Sequence, residues 1–219
     1  MAVRNIITLP DPLLRKKSAA VERIDAELKA LADDMLETMY AAPGVGLAAV
    51  QVGVPRRLIV LDATSKEEEH RPLVLINPEI VELGAEMRVY EEGCLSIPDV
   101  RLEIERPATV KVRYLDREGR PQELAADGLL VTAIQHEIDH LNGKLIIDFL
   151  SRLKRDIIVR KFKKQAKSVK APEKGSDKAP DKAPDKAPDK APDKAPDKAP
   201  DKAPDKASEK GSDPAGLTP

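Results

Sequence analysis

The 219-residue chain has one cysteine, no tryptophan and only three histidines. A single cysteine cannot close an intramolecular disulfide, so packing and hydrogen bonds must hold the fold, as suits a reducing compartment. Three tyrosines and two phenylalanines are the whole aromatic content, which leaves the core to Val, Ile, Leu and Ala. No apolar run approaches the about 20 residues that span a bilayer. The opening MAVRNIITLPDP is too short in apolar residues for a secretory signal. Neither sign of charge is in excess: 37 basic and 38 acidic residues give a net charge of −1, with no global pull toward nucleic acid or anionic membrane. A cytoplasmic protein with no membrane attachment is expected.

What is present divides unevenly. From Asp177 the tetrad DKAP repeats seven times and ends in DKAS. Proline at every fourth position forbids a helix and interrupts a sheet ladder, and alanine alone cannot build a core. The expectation is one globular domain over residues 1–168 and an extended, disordered tail over 169–219. Within the domain, Leu28, Leu31, Met35 and Met39 recur at helical spacing over residues 25–40, with Asp25 as N-cap and Ala-Ala-Pro-Gly as the stop. Short strand-like runs follow: 57–62 and 73–76 are apolar, while 87–90, 101–105 and 110–115 alternate. Residues 116–120 read as a hairpin turn into 122–125. Residues 127–141 return to a helix, uncharged from Gly128 to Gln135 and so apolar on nearly every side, the mark of a buried helix. Residues 148–167 read as a basic amphipathic helix with Leu150, Leu153, Ile157 and Phe162 as its apolar stripe. The fold class expected is α+β: antiparallel β-sheets around a central buried helix, with an N-terminal and a C-terminal helix.

Two of the three histidines stand at the end of that buried helix, in QHEIDHLNG. Residues i and i+4 share a helix face, so His136 and His140 can reach one metal ion. Glu137 projects beside them. It is badly placed to ligate the same ion and well placed to take a proton from a metal-bound water and pass it to a leaving amine. H-E-x-x-H also arises by chance on surface helices. On a buried helix, however, two imidazoles and the carboxylates of Glu137 and Asp139 are costly unless partnered, which favours the metal reading. Asp139 reads as structural or as a support for a ligand. Catalytic sites usually take a third protein ligand. His70 lies in the charged run KEEEHR and reads as solvated, leaving Cys94 or a downstream acid as candidates. A lone buried cysteine is more often a small hydrophobe, but Cys94 stands beside Gly93 in EEGCLSIP, at a strand-to-loop turn.

GVGLAAVQ, ending at Gln51, follows the first helix stop. It lacks the third glycine of a phosphate-binding loop and reads as a tight turn where backbone approaches something closely. The Gln51 amide can donate to an oxyanion.

Taken in order, GVGLAAVQ, EGCLS and QHEIDHLNG resemble the three signatures of the peptide deformylases, G-x-G-x-A-A-x-Q, E-G-C-[LM]-S and H-E-x-D-H, each complete. The likeness continues through DMLETMYAAPGVGLAAVQVG and LIIDFLSRLKR and covers residues 6–164; the tail has no counterpart. The resemblance implies a bacterial metallohydrolase that removes the formyl group from the N-terminal formylmethionine of new polypeptides. Metal-bound water would attack the formyl carbonyl with Glu137 as general acid and base, releasing formate. By the same resemblance Cys94, His136 and His140 hold the metal, and Gln51 with the backbone N–H of Leu95 stabilises the oxyanion. Val45, Gly46, Gly93 and Ala133 would line the substrate cleft, and Glu92 would brace Arg101 near the methionine pocket. The implied ion is Fe²⁺, with Zn²⁺ or Ni²⁺ as alternatives, since a thiolate with two imidazoles suits several divalent ions.

Formylated chains emerge at the ribosome. The basic helix, with Arg152, Lys154, Arg155, Arg160 and Lys161 among its charges, is the expected contact with ribosomal RNA, against the simpler reading of a solvated face. The protein is expected to be a monomer. A zinc endopeptidase would need a further downstream His or Glu ligand, and a structural metal site a fourth protein ligand; the sequence displays neither.

Overall fold

A computed structural model describes residues 2–64 and 69–170, with side chains as far as 168. The first helix, α1 (Ala26–Ala41), begins where Asp25 Oδ1 accepts the Leu28 N–H at 2.9 Å. Seven strands follow in chain order: β1 (Gly46–Ala48), β2 (Leu58–Leu61), β3 (Leu73–Leu83), β4 (Met87–Cys94), β5 (Ile97–Pro107), β6 (Val110–Leu115) and β7 (Pro121–Ala126). Five make an antiparallel sheet in the order β1-β2-β3-β6-β7, and β4 with β5 forms a separate two-stranded hairpin. Two further helices, α2 (Gly128–Leu141) and α3 (Arg152–Lys170), complete a mixed α+β fold. No helix among the described residues is long and apolar enough to cross a membrane.

The run RLIVLD has no polar alternation because β2 is covered on both faces. Leu58 and Val60 pack with Leu28, Met35 and Met39 of α1. Ile59 and Leu61 turn the other way and pack with Val131, Ile134 and Ile138 of α2. The hairpin closes a third cluster, in which Ile97 and Ile104 meet Ile146, Ile147 and Phe162.

Three sequence expectations need correction. GVGLAAVQ is more than a turn: Gly46 pairs with Leu61 as the start of β1, and Ala49–Val52 forms a 3-10 turn. β3 runs past Ile76, where the expected strand ended, through Asn77-Pro78 to Leu83. The ladder steps over this dipeptide in a bulge, with Asn77 at φ +52° and its side-chain amide bonded at 2.8 Å to both the N–H and the carbonyl of Val21. On α3, Leu153 and Ile157 are 73% and 58% exposed, and Phe162 is buried with Ile158 and Val159 packed beside it. Five residues separate Leu153 from Ile158, about 140° round a helix. Phe162 is four positions from Ile158 and nine from Leu153, so the buried face is the one opposite Leu153. α3 extends to Lys170, and the expectation for the DKAP repeats lies outside the described residues.

His70 is less isolated than its charged neighbours suggested. Its Nδ1 lies 2.9 Å from Asp62, whose carboxylate also accepts from Tyr40 Oη and Thr64 Oγ1, each at 2.6 Å. Burial opposes the charged form of Asp62, but the bonds from Thr64, Tyr40 and His70 outweigh it and bring the carboxyl down to about 2. A depressed carboxyl stabilises the fold above its unfolded value near 4, and that stability is lost as pH falls toward 2. Asp62→Asn should therefore melt lower than the parent at pH 6, with the difference shrinking as pH falls from about 4 to about 2. Thermal melts across that range test it, and a difference independent of pH would refute the assignment.

Candidate metal centre

Two elements far apart in sequence converge on one point. The β4–β5 turn delivers Cys94, and the last two turns of α2 deliver His136, Glu137 and His140. All three residues on α2 are buried, and Cys94 is partly buried. Cys94 Sγ lies 3.2 Å from His140 Nε2, and the ligand atoms of Cys94, His136 and His140 all fall within 4.8 Å of one another. At metal–sulfur and metal–nitrogen bonds of about 2.3 and 2.0–2.1 Å, donors of a tetrahedral ion stand about 3.4–3.6 Å apart, so side-chain shifts of about 1 Å at the widest pair would let the cluster hold one. His136 is oriented for this: its Nδ1 meets Glu92 Oε2 at 2.9 Å, leaving Nε2 for the ion. Burial, reinforced by repulsion from His136, holds His140 well below the ordinary imidazole range and so neutral, the form that ligates. Burial acts on His136 in the same direction, but its bonds with Cys94 and Glu92 prevail and favour a positive charge there. A cation satisfies the same field. The donors therefore fit a divalent ion.

The expected brace between Glu92 and Arg101 is replaced by another. In the hairpin register Gly93 faces Arg101 and Glu92 faces Leu102, so Arg101 is on the opposite side of the ribbon from Glu92. Arg101 instead lies along Gly93, where an added Cβ would sit 3.4 Å from its guanidinium carbon. The partner of Glu92 is Arg106, which the sequence reading missed. Arg106 Nε and Nη2 reach the two Glu92 oxygens at 2.6 and 3.1 Å, and Nη1 reaches Asp139 at 2.8 Å. Its guanidinium also stands 4.8 Å from the Phe149 ring centroid. Arg106 shares the inward parity of Ile104 on β5, and a charge at an inward position was the available signal. The alternating run 101–105 stops one residue short of it.

Glu137 is the second buried acid of this site. Burial raises its carboxyl to about 7, with Glu92 adding to the rise and the His136 charge opposing it. One of its oxygens, Oε2, has no protein partner. Gly46 is packed against the same carboxylate: a Cβ there would lie 2.6 Å from Glu137 Oε1. Gly46→Leu should thus displace Glu137 and lower turnover by at least about 10²-fold with metal content unchanged. Steady-state kinetics with metal analysis checks this, and full activity would refute the close approach.

A cleft of about 450 Å³ opens above these groups. Of the residues expected at the site, Val45, Gly46, Gln51, Glu92, Gly93, Cys94, Leu95, Arg101, Ala133, His136 and Glu137 all line it. His140 sits behind, reaching it through Cys94. Gln51 is buried in the 3-10 turn, its Oε1 accepting the Ala48 N–H at 2.8 Å and its Nε2 donating to Ser96 Oγ at 3.1 Å. Ser96 is a second residue the sequence reading passed over.

A cysteine sulfur and two imidazoles turned on one point, with an acid raised toward neutrality at the foot of an open cleft, define a metallohydrolase on an α+β scaffold. Residues 3–156 match the model of the polypeptide deformylase family. The peptide deformylase of Rhizobium meliloti (strain 1021) is 60% identical over 168 residues, spanning 77% of this chain and 97% of that protein. The crystal structure of peptide deformylase from Ehrlichia chaffeensis in complex with actinonin superposes with a TM-score of 0.72 at 43% identity, covering 75% of this chain and 98% of that one. The Met-Ala-Ser-bound enzyme from Acinetobacter baumannii does so at 0.64 and 36% identity, covering 68% and 99%. The chain belongs to the polypeptide deformylase family.

Proposed function

We propose that this chain removes the formyl group from the N-terminal formylmethionine of newly synthesised polypeptides, releasing formate and a free α-amine. The observation that carries this reading is the position of Glu137: buried, with one oxygen free of protein partners, at the foot of a cleft and beside a Cys-His-His donor set. Membership of the family supports it, and so does the relative that holds Met-Ala-Ser, the peptide left when formyl-Met-Ala-Ser loses its formyl group.

Cys94, His136 and His140, the last two borne on the H-E-x-x-H helix, would hold the ion, Fe²⁺ in the cell and Zn²⁺ or Ni²⁺ as substitutes. Bound there, it would supply Lewis acidity and lower the pKa of water. Glu137 takes the proton of the attacking water and returns it to the departing amine, a task suited to a carboxyl raised toward neutrality. Gln51 and the Leu95 N–H donate to the formyl oxygen as it gains charge. Val45, Gly46, Gly93, Arg101 and Ala133 shape the cleft for the formyl group and the methionine side chain. Glu92 acts one step back, through His136. The activity resides in the domain that ends near residue 168 and is exercised by a cytoplasmic monomer. The exposed basic face of α3 is the surface for docking on ribosomal RNA.

The test is formate release from formyl-Met-Ala-Ser by protein purified without oxygen and loaded with Fe²⁺ or Ni²⁺. Catalytic formate, matched by new α-amine, is expected. No release by folded, metal-loaded protein would overturn the reading.

A further inference from the structure

We infer that Ser96 is a positioning residue for the reaction: its hydroxyl holds the Gln51 side-chain amide in place at the reacting atoms, where the Ala48 N–H sets it with a donor, and not an acceptor, facing them. The inference rests on the deformylase reading, since it concerns how the oxyanion donor is aimed.

The orientation of the amide follows from its partners. Ala48 contributes a backbone N–H, which can only donate, so the Gln51 atom 2.8 Å away must be the carbonyl Oε1. Nε2 is therefore at the other end, 3.1 Å from Ser96 Oγ. One of its two protons goes to Ser96, which accepts it. The other faces Cys94 Sγ across 3.9 Å and the cleft beyond. A flipped amide would set an NH₂ against the Ala48 N–H and a carbonyl oxygen against the cysteine sulfur, two unfavourable contacts in place of two favourable ones. Both Gln51 and Ser96 are buried, with 1% and 0% exposure, so the contact between them is made out of bulk water.

A third strand of chain fixes the spacing. Gln51 lies beside β1 and Ser96 in the turn of the separate hairpin, so nothing within either sheet sets their distance. The N-terminal segment does: Ile7 N–H donates to the Gln51 carbonyl at 2.7 Å, and Leu9 N–H to the Ser96 carbonyl at 3.0 Å. Two residues of one extended segment thus tie the oxyanion donor of one sheet to the hydroxyl that aims it in the other. Oxyanion donors lower barriers only when held in place before charge develops. Without the Ser96 contact the Nε2 end is free to swing away from that place, although the Ala48 N–H still sets which end faces forward.

The test is a double-mutant cycle of Ser96→Ala with Gln51→Ala, measuring kcat, KM, metal content and melting temperature on formyl-Met-Ala-Ser. Ser96→Ala should lower kcat by about tenfold with KM and metal content unchanged, and should cost nothing further in the Gln51→Ala background. Unchanged kcat, or an equal loss in both backgrounds, would overturn the inference. Should Ser96→Ala fail to fold, the side-chain amide protons of Gln51 in the zinc-loaded wild type decide it, with Gln51→Ala giving their assignment in NMR spectra. Two resolved, slowly exchanging protons are expected, and a rapidly exchanging pair would overturn the clamp. Wild-type protein that releases no formate would sink the deformylase reading, and the amide spectrum would still judge the clamp.

Discussion

Glu137→Ala should lose between about 10² and 10⁴ in kcat on a formylated peptide while keeping its metal. The carboxylate is buried, lies against the backbone of Gly46 and leaves one oxygen free at the foot of the cleft. It is not among the three donors, so its removal should spare the ion. Truncation also removes a buried ionisable group with an incomplete set of partners, so the variant should melt no lower than the parent. Kinetics, metal analysis and a thermal melt on one preparation check all three statements. Loss of metal together with activity would show that Glu137 supports the ion, and would remove it from the proton-transfer role.

Arg106→Ala should produce the largest loss of stability of any single change near the site. Arg106 is 6% exposed and bridges Glu92, itself 5% exposed, to Asp139. Removing it leaves buried Glu92 with His136 as its remaining partner and Asp139 with Lys144 at 3.7 Å, so each carboxylate loses its guanidinium contact and one of them is almost wholly out of water. Breaking one side of a buried ion pair costs roughly 3–5 kcal/mol, or roughly 6–20 °C in melting temperature for a domain of this size. Arg106→Lys should recover little, because an ammonium cannot make the two parallel bonds to Glu92 and still reach Asp139. Metal affinity should fall as well, since Glu92 is what turns His136. Calorimetry and metal titration measure these effects. A loss below 1 kcal/mol would mean that Glu92 finds another partner.

Much of the fold and of the candidate site was legible beforehand. α1 could be read because its apolar residues recur at helical spacing behind an Asp cap. β6 and the turn after it could be read because alternation and an Asp-to-Gly segment are local signals. β1 could not: three residues, Gly-Leu-Ala, carry no alternation, and only pairing with β2 makes them a strand. The apolar stripe of α3 was misjudged because Ile157 and Phe162, five positions apart, lie about 140° round a helix and cannot share one face.

At the centre the division is sharper. The sequence by itself determined the local chemistry: His136, Glu137 and His140 share one stretch of one helix, and helical geometry alone sets their relation. Likeness of motifs, and not spacing, had named Cys94 as the third donor, and folding brings its sulfur to His140 across 46 positions. Only tertiary structure decided what holds these groups. Arg106 rather than Arg101 meets Glu92 because side chains on a ribbon alternate between faces and hairpin register assigns the face. Ser96 meets Gln51 because the N-terminal segment ties two sheets together. Contacts of that kind follow from register and from the path of distant chain, which no short window of residues encodes.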